Sequence, residues 1–162
     1  MKRNKKNRVN PPTPCKSAVV LLILFIAAVP VFSQTAEEID HLLTLDTVNY
    51  GQAAWLILNA AGVPDMTEPS LAFIYAKEKN WLPGNASIDN NARLDGVSLL
   101  IMNAWNLKGG IMYSITKSAR YAYRELVYIN VIQGRFSPRM AVAPDQLLYM
   151  INFILAREEN NE

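Results

Sequence analysis

Residues Ser118 to Leu155 read SARYAYRELVYINVIQGRFSPRMAVAPDQLLYMINFIL: a helix, a turn at Gly134, a loop punctuated by Phe136 and Pro138, and a second helix. The second helix constrains the fold most. Leu147 to Leu155 is apolar on almost every side, so it is stable in water only when other elements surround it. Ser118 is placed to cap the first helix, Ala119 to Ile129. Pro144 suits the first turn of the second, where its missing N–H costs nothing, and Asp145 favours the positive end of the helix dipole.

Two more segments have the same character. Tyr50 to Ala61 (YGQAAWLILNAA) is apolar nearly all round and stops at Gly62, while Leu94 to Leu107 (LDGVSLLIMNAWNL) is closed by Lys108-Gly109-Gly110. Shorter helices are predicted over Ala36 to Leu45, carrying the lone His41, and over Leu71 to Lys79. The second of these has Ser70 as N-cap and Leu71, Ile74 and Tyr75 on one face. Ile111 to Ile115 reads as a connector. No segment alternates long enough for a half-buried strand, so the class is all-α.

The segments also resemble one another, and internal repeats fix architecture. LILNAAGV (56–63) matches LIMNAWNL (100–107) at an offset of 44, and LLIM (99–102) matches LLYM (147–150) at 48. Asn80-Trp81-Leu82-Pro83-Gly84 matches Asn130-Val131-Ile132-Gln133-Gly134 at 50, with the glycines expected to supply the positive φ of the turn. The expected plan is one domain over 34–157 with a frayed tail at 158–162. It contains a half-unit at 48–63 and two full repeats at 70–107 and 118–155.

The order Ala122, Leu126, Asn130-Val131-Ile132-Gln133-Gly134, Phe136-Ser137-Pro138 and Val142 leading into an apolar helix resembles the S-layer homology (SLH) repeat. The resemblance spans 118–155 and, more faintly, 70–107. It implies a compact pseudo-threefold helical bundle on the cell envelope that holds a cell-wall polysaccharide or peptidoglycan. LIMNAWNLKGG and RYAYREL also resemble stretches of small exported spirochaete proteins. In the SLH family a Thr-Arg-Ala-Glu box opens each final helix, and its Arg grips an acidic sugar substituent. Here Gly51-Gln52-Ala53-Ala54, Asp95-Gly96-Val97-Ser98 and Ala143-Pro144-Asp145-Gln146 stand at those positions. None carries the Arg or the Glu, so the fold can carry over without that contact.

The N-terminus points to the same compartment. Six basic residues precede an unbroken apolar run of twelve, Ala18 to Val29, which Pro30 ends. A bilayer core needs roughly 20 residues, so 1–33 reads as a signal peptide cleaved after Ser33, with an uncleaved anchor as the alternative. The expectation is an exported protein, periplasmic or on the cell surface, whose membrane contact runs only through an uncleaved leader. Cys15, the single cysteine, lies in that leader, which excludes disulfides and thiolate metal sites from the mature chain.

Without the leader, ten basic residues face fourteen acidic ones, a net −4, but the charge is unevenly spread. Residues 108–139 hold Lys108, Lys117, Arg120, Arg124, Arg135 and Arg139 against Glu125 alone, a net +5. That band suits an anionic partner, or else a solvated face balanced by acids elsewhere in the fold. Arg120 and Arg124 lie one helical turn apart, where like charges repel, and guanidinium forks bind carboxylate or phosphate bidentately. The candidate binding residues are therefore Arg120, Arg124, Tyr121, Tyr128, Arg135 and Arg139, with the tyrosines available to stack on sugar rings. Core packing of the tyrosines, with neutralisation of the arginines by Glu125 or by acids from the first helices, is the competing reading.

Catalytic patterns are weak. Ser114-Ile115-Thr116-Lys117 fits Ser-x-x-Lys without its companion elements. The stretch 89–96 fits a calcium loop poorly and a capped loop better, and no carboxylate pair converges in sequence. Export and net acidity disfavour nucleic acid. The expected function is non-catalytic, with neither metal nor cofactor: binding of a wall glycan or another anionic envelope component. The alternative is a protein-interaction subunit docking an envelope protein.

Overall fold

The computed structural model describes residues 40, 42–134 and 136–159. Chain contacts divide at Asp40, and the fold below concerns the unit from residue 41 onward. The expected leader, His41, Arg135 and the last three residues lie outside the described set. The described chain is all-α. In order, its helices are α1 (Tyr50–Ala60), α2 (Pro69–Glu78), α3 (Leu94–Ala104), α4 (Ile111–Thr116), α5 (Ala119–Tyr128) and α6 (Pro144–Glu159).

The apolar helices α1, α3 and α6 make the centre. α1 packs on α2, α3 and α6, while α3 packs on α5 and α5 on α4. Their matching positions are buried: Tyr50, Ala53 and Ile57 on α1; Leu94, Val97 and Ile101 on α3; Pro144, Leu147 and Ile151 on α6.

The three segments entering these helices meet in a closed ring of backbone hydrogen bonds. Val48 N–H donates to Val142 O (3.0 Å), Val142 N–H to Ala92 O (2.9 Å), and Ala92 N–H to Val48 O (2.8 Å). All three residues are fully buried. Buried peptide groups require partners, and the cycle supplies one for every N–H and C=O of the trio. Further out, Tyr50 N–H donates to Asn90 O and Leu94 N–H to Met140 O, both at 3.0 Å. These bonds satisfy donors that a helix N-terminus otherwise leaves orphaned. The corresponding residue of α6 is Pro144, which has no N–H to satisfy.

The ring sets the register. Positions 48, 92 and 142 correspond, giving spacings of 44 and 50. The first is the offset of LILNAAGV and LIMNAWNL, and the second that of the two Asn-to-Gly turns. The 48-residue match of LLIM with LLYM is two residues out of register; Leu-rich helices align with one another in several frames, and only the buried positions select one. The residues opening the three central helices are accordingly Asn49–Gln52, Arg93–Gly96 and Ala143–Gln146. The first two quartets begin two residues earlier than the sequence placed them. In the first, Asn49 Oδ1 accepts from Gln52 N–H (2.8 Å) and Gln52 Oε1 from Asn49 N–H (3.0 Å), a reciprocal capping box.

Several local expectations are corrected. α2 starts at Pro69 behind Glu68, so Ser70 is inside the helix rather than its cap. Its buried face is Ala72 and Ala76, while Leu71 and Ile74 are exposed, because the small side chains let α2 lie close to α1. The turns after α2 and α5 take their left-handed residue from Asn80 (φ 58°) and Asn130 (φ 61°), not from both glycines; Gly134 is left-handed (φ 99°) as well. Asn tolerates that region better than most side chains, and Trp81 N–H and Val131 N–H then reach back to Ala76 O and Leu126 O. Residues 111–116 form a helical turn and a half rather than a connector. Ser118 occupies the N-cap of α5 without a side-chain capping bond. α6 continues to Glu159, past the expected end of the packed chain.

Candidate functional site

The start of α3, one face of α5 and the loop before α6 enclose a cleft of about 480 Å³. Arg93, Arg120, Arg124 and Arg139 line it with Tyr123 and Asp95. The loop is held down at several points. Asp95 N–H donates to Pro138 O (2.8 Å), Met140 N–H to Ser137 O (3.0 Å), and the Tyr123 hydroxyl to Phe136 O (2.6 Å). Tyr123 thus ties α5 to the loop that carries Arg139.

Among the described residues, four guanidinium groups and one carboxylate line this cleft. Asp95 pairs with Arg93 (Nη2 to Oδ2, 2.6 Å), and its Oδ1 accepts the Gly96 N–H at 2.9 Å. No described carboxylate pairs with Arg120, Arg124 or Arg139. Glu125 therefore does not neutralise the arginines directly. Arg93 Nε is buried and lacks a hydrogen-bond partner among the described residues. An unpaired buried donor is costly, and this one belongs to a side chain of the cleft wall. Together these groups suit a carboxylate- or phosphate-bearing ligand, which takes paired N–H donors from guanidinium forks.

The sequence-expected site is divided by the fold. Arg120, Arg124 and Arg139 are brought together. Tyr121 and Tyr128 instead line a neighbouring cleft with Gly110, Ile111, Met112 and Glu125; Arg124 borders both clefts. The Arg124 guanidinium lies 5.9 Å from the centre of the Tyr121 ring. Arg135 is outside the described residues. Arg93, Asp95 and Tyr123 are the residues that sequence reasoning missed. The Arg93–Ala141 backbone bridge delivers the first two to the loop, and the 50-residue spacing of the turns carried that signal. Among the described residues no group of three metal-ligating side chains occurs, including the stretch 89–96. Ser114 Oγ donates to Gly109 O (3.2 Å), and Lys117 Nζ stands 4.7 Å over the Tyr113 ring.

Tyr50 lies against this site. Its ring packs on Gly96, where a Cβ would come within 2.8 Å of Cε1, so the start of α3 accepts only glycine at that point without displacing the ring. Burial pushes the Tyr50 phenol above its ordinary value. A backbone hydrogen bond from Arg93 opposes the rise, the Asp95 charge adds to it, and the Arg93 charge again opposes it. Burial, followed by the Glu125 charge, also raises Tyr113. An unfolded tyrosine ionises near about pH 10. These residues therefore stabilise the fold fully below that pH, and the contribution is lost as pH rises through the raised folded values. Tyr50→Phe is expected to flatten the fall in melting temperature as pH rises above about 10, as read by circular dichroism. An unchanged slope would show that Tyr50 is not one of the groups driving alkaline unfolding.

Comparison with known protein families, with curated proteins and with solved structures finds no match for this chain. No helix among the described residues is long and apolar enough to cross a membrane.

Proposed function

We propose that this is a non-catalytic, exported envelope domain, built on SLH-like repeats, that holds an anionic wall glycan in the cleft between α3, α5 and the 136–140 loop. The observation carrying this reading is the convergence of Arg93, Arg120, Arg124 and Arg139 on one cleft beside Tyr123. The cyclic bonding of Val48, Ala92 and Val142 supports a threefold repeat plan. A basic n-region and apolar run support export. The ligand contact differs from the family's box. Arg93 occupies the first place of its quartet rather than the second, and the remaining cations come from α5 and the loop. A binding role is favoured over hydrolysis because Asp95 is the only described carboxylate of the cleft, and it is held by Arg93.

Retention of the purified protein on isolated sacculi tests the proposal. Retention is expected at low salt and release at high salt, since screening weakens exposed charge contacts. Failure to bind at low salt, or binding that high salt leaves unchanged, would remove the arginine cleft as the contact.

A further inference from the structure

We propose that α4 and the end of α5 form a second contact surface, which adjoins the arginine cleft and shares Arg120 and Arg124 with it, and which settles on an anionic lipid bilayer. α4 is anchored by Tyr113, which is 1% exposed and points into the fold. Its other side carries Ile111 (78% exposed), Met112 (52%) and Ile115 (75%). Positions i, i+1 and i+4 of a helix share one side, so the three side chains stand out together. Tyr128, 83% exposed, lines the same cleft as Ile111 and Met112 and extends the apolar surface onto α5. Single exposed apolar residues are ordinary on a protein surface, but a contiguous group marks a contact.

Charge identifies the occupant. Lys108 precedes α4, Lys117 follows it, and Arg120 and Arg124 lie on the next helix; all four are exposed. Glu125, the single acid between 108 and 139, is half-buried beside Gly110. Protruding isoleucines flanked by long cationic side chains are the pattern of an interfacial segment. The apolar groups enter the acyl boundary and the cations remain among anionic headgroups. A second copy of the chain fits poorly, because a two-fold contact would set this cationic band against itself. An apolar protein partner would leave the flanking cations without counter-charge.

The test compares sedimentation of the full chain with phosphatidylcholine vesicles and with vesicles also containing phosphatidylglycerol. Stronger binding to the anionic vesicles is expected. Ile111→Ser with Ile115→Ser should lower that partition by about tenfold or more, leaving melting temperature and sacculus retention unchanged, since neither residue lines the arginine cleft. A local reporter removes any contribution from residues 1–33. An environment-sensitive fluorophore on Ile115→Cys, in a Cys15→Ser background, should brighten and shift to the blue with anionic vesicles only. Should the serine pair fail to fold, Tyr128→Ser with Lys117→Glu replaces it, with reduced anionic partition again expected. The proposal is overturned by a silent fluorophore, by serine variants that partition like the parent, or by self-association that the serine substitutions abolish.

Discussion

Ala92→Pro is expected to unfold the domain at temperatures where the parent is intact. The Ala92 N–H is the 2.8 Å donor to Val48 O, and both residues are fully buried. Proline deletes that donor and leaves a buried carbonyl unpaired, at about 1–3 kcal/mol. Its ring Cδ also takes the place of the amide hydrogen and collides with the Val48 oxygen, and overpacking of this kind costs about 1–3 kcal/mol. Against a total stability of about 5–15 kcal/mol, the sum is a large fraction, and a fall in Tm of about 10 °C or more follows. Ala92→Gly keeps the N–H and should cost only about 1 kcal/mol. Thermal melts followed by circular dichroism separate the two. If both variants melt alike, the ring is not what holds the three segments together. Pro144 sharpens the expectation: the chain already carries a proline where Tyr50 and Leu94 make the outer bonds, whereas all three inner bonds are present.

The central helices were legible because α1, α3 and α6 are apolar on nearly every side, a property local sequence carries by itself. The entering segments were not. Val48, Ala92 and Val142 are ordinary small apolar residues with no motif around them in common, and what unites them is a backbone bond made across 44 to 94 residues of chain. The same distance hid half of the cleft. Arg93 looks like part of a polar loop in an acidic stretch until its bridge with Ala141 sets it beside Arg139. α4 reads as a connector for another reason: residues 111–115 are too short to show a helical period, and only the fold buries Tyr113 and turns Ile111, Met112 and Ile115 outward. On α2 the error ran in reverse. Hydrophobicity pointed to Leu71 and Ile74, but close approach of two helices selected the alanines.

Replacing Arg120 and Arg124 together by alanine is expected to reduce sacculus retention about 100-fold. A hydrogen bond to a charged group contributes about 1.5–3 kcal/mol, and both side chains are exposed, so the lower figure applies to each. Two such contacts amount to about 3 kcal/mol, or about two decades in affinity. Arg139→Ala should cost about tenfold by the same reasoning. Arg93→Ala should exceed a single deletion, because it removes a cation and also frees the Asp95 carboxylate to repel the ligand. The sign reverses at Asp95→Asn, which keeps an oxygen for the Gly96 N–H while discarding the one described carboxylate of the arginine cleft; retention should tighten. Tyr128→Ala serves as the control, since Tyr128 lines the other cleft and should leave retention as it was. A contact made by general surface charge gives a different pattern: every arginine in the 108–139 band would weaken binding equally, Arg93 would not stand out, and Asp95→Asn would match any other neutralised acid. Binding isotherms on the same sacculus preparation distinguish the two, and equal losses at all positions would sink the cleft.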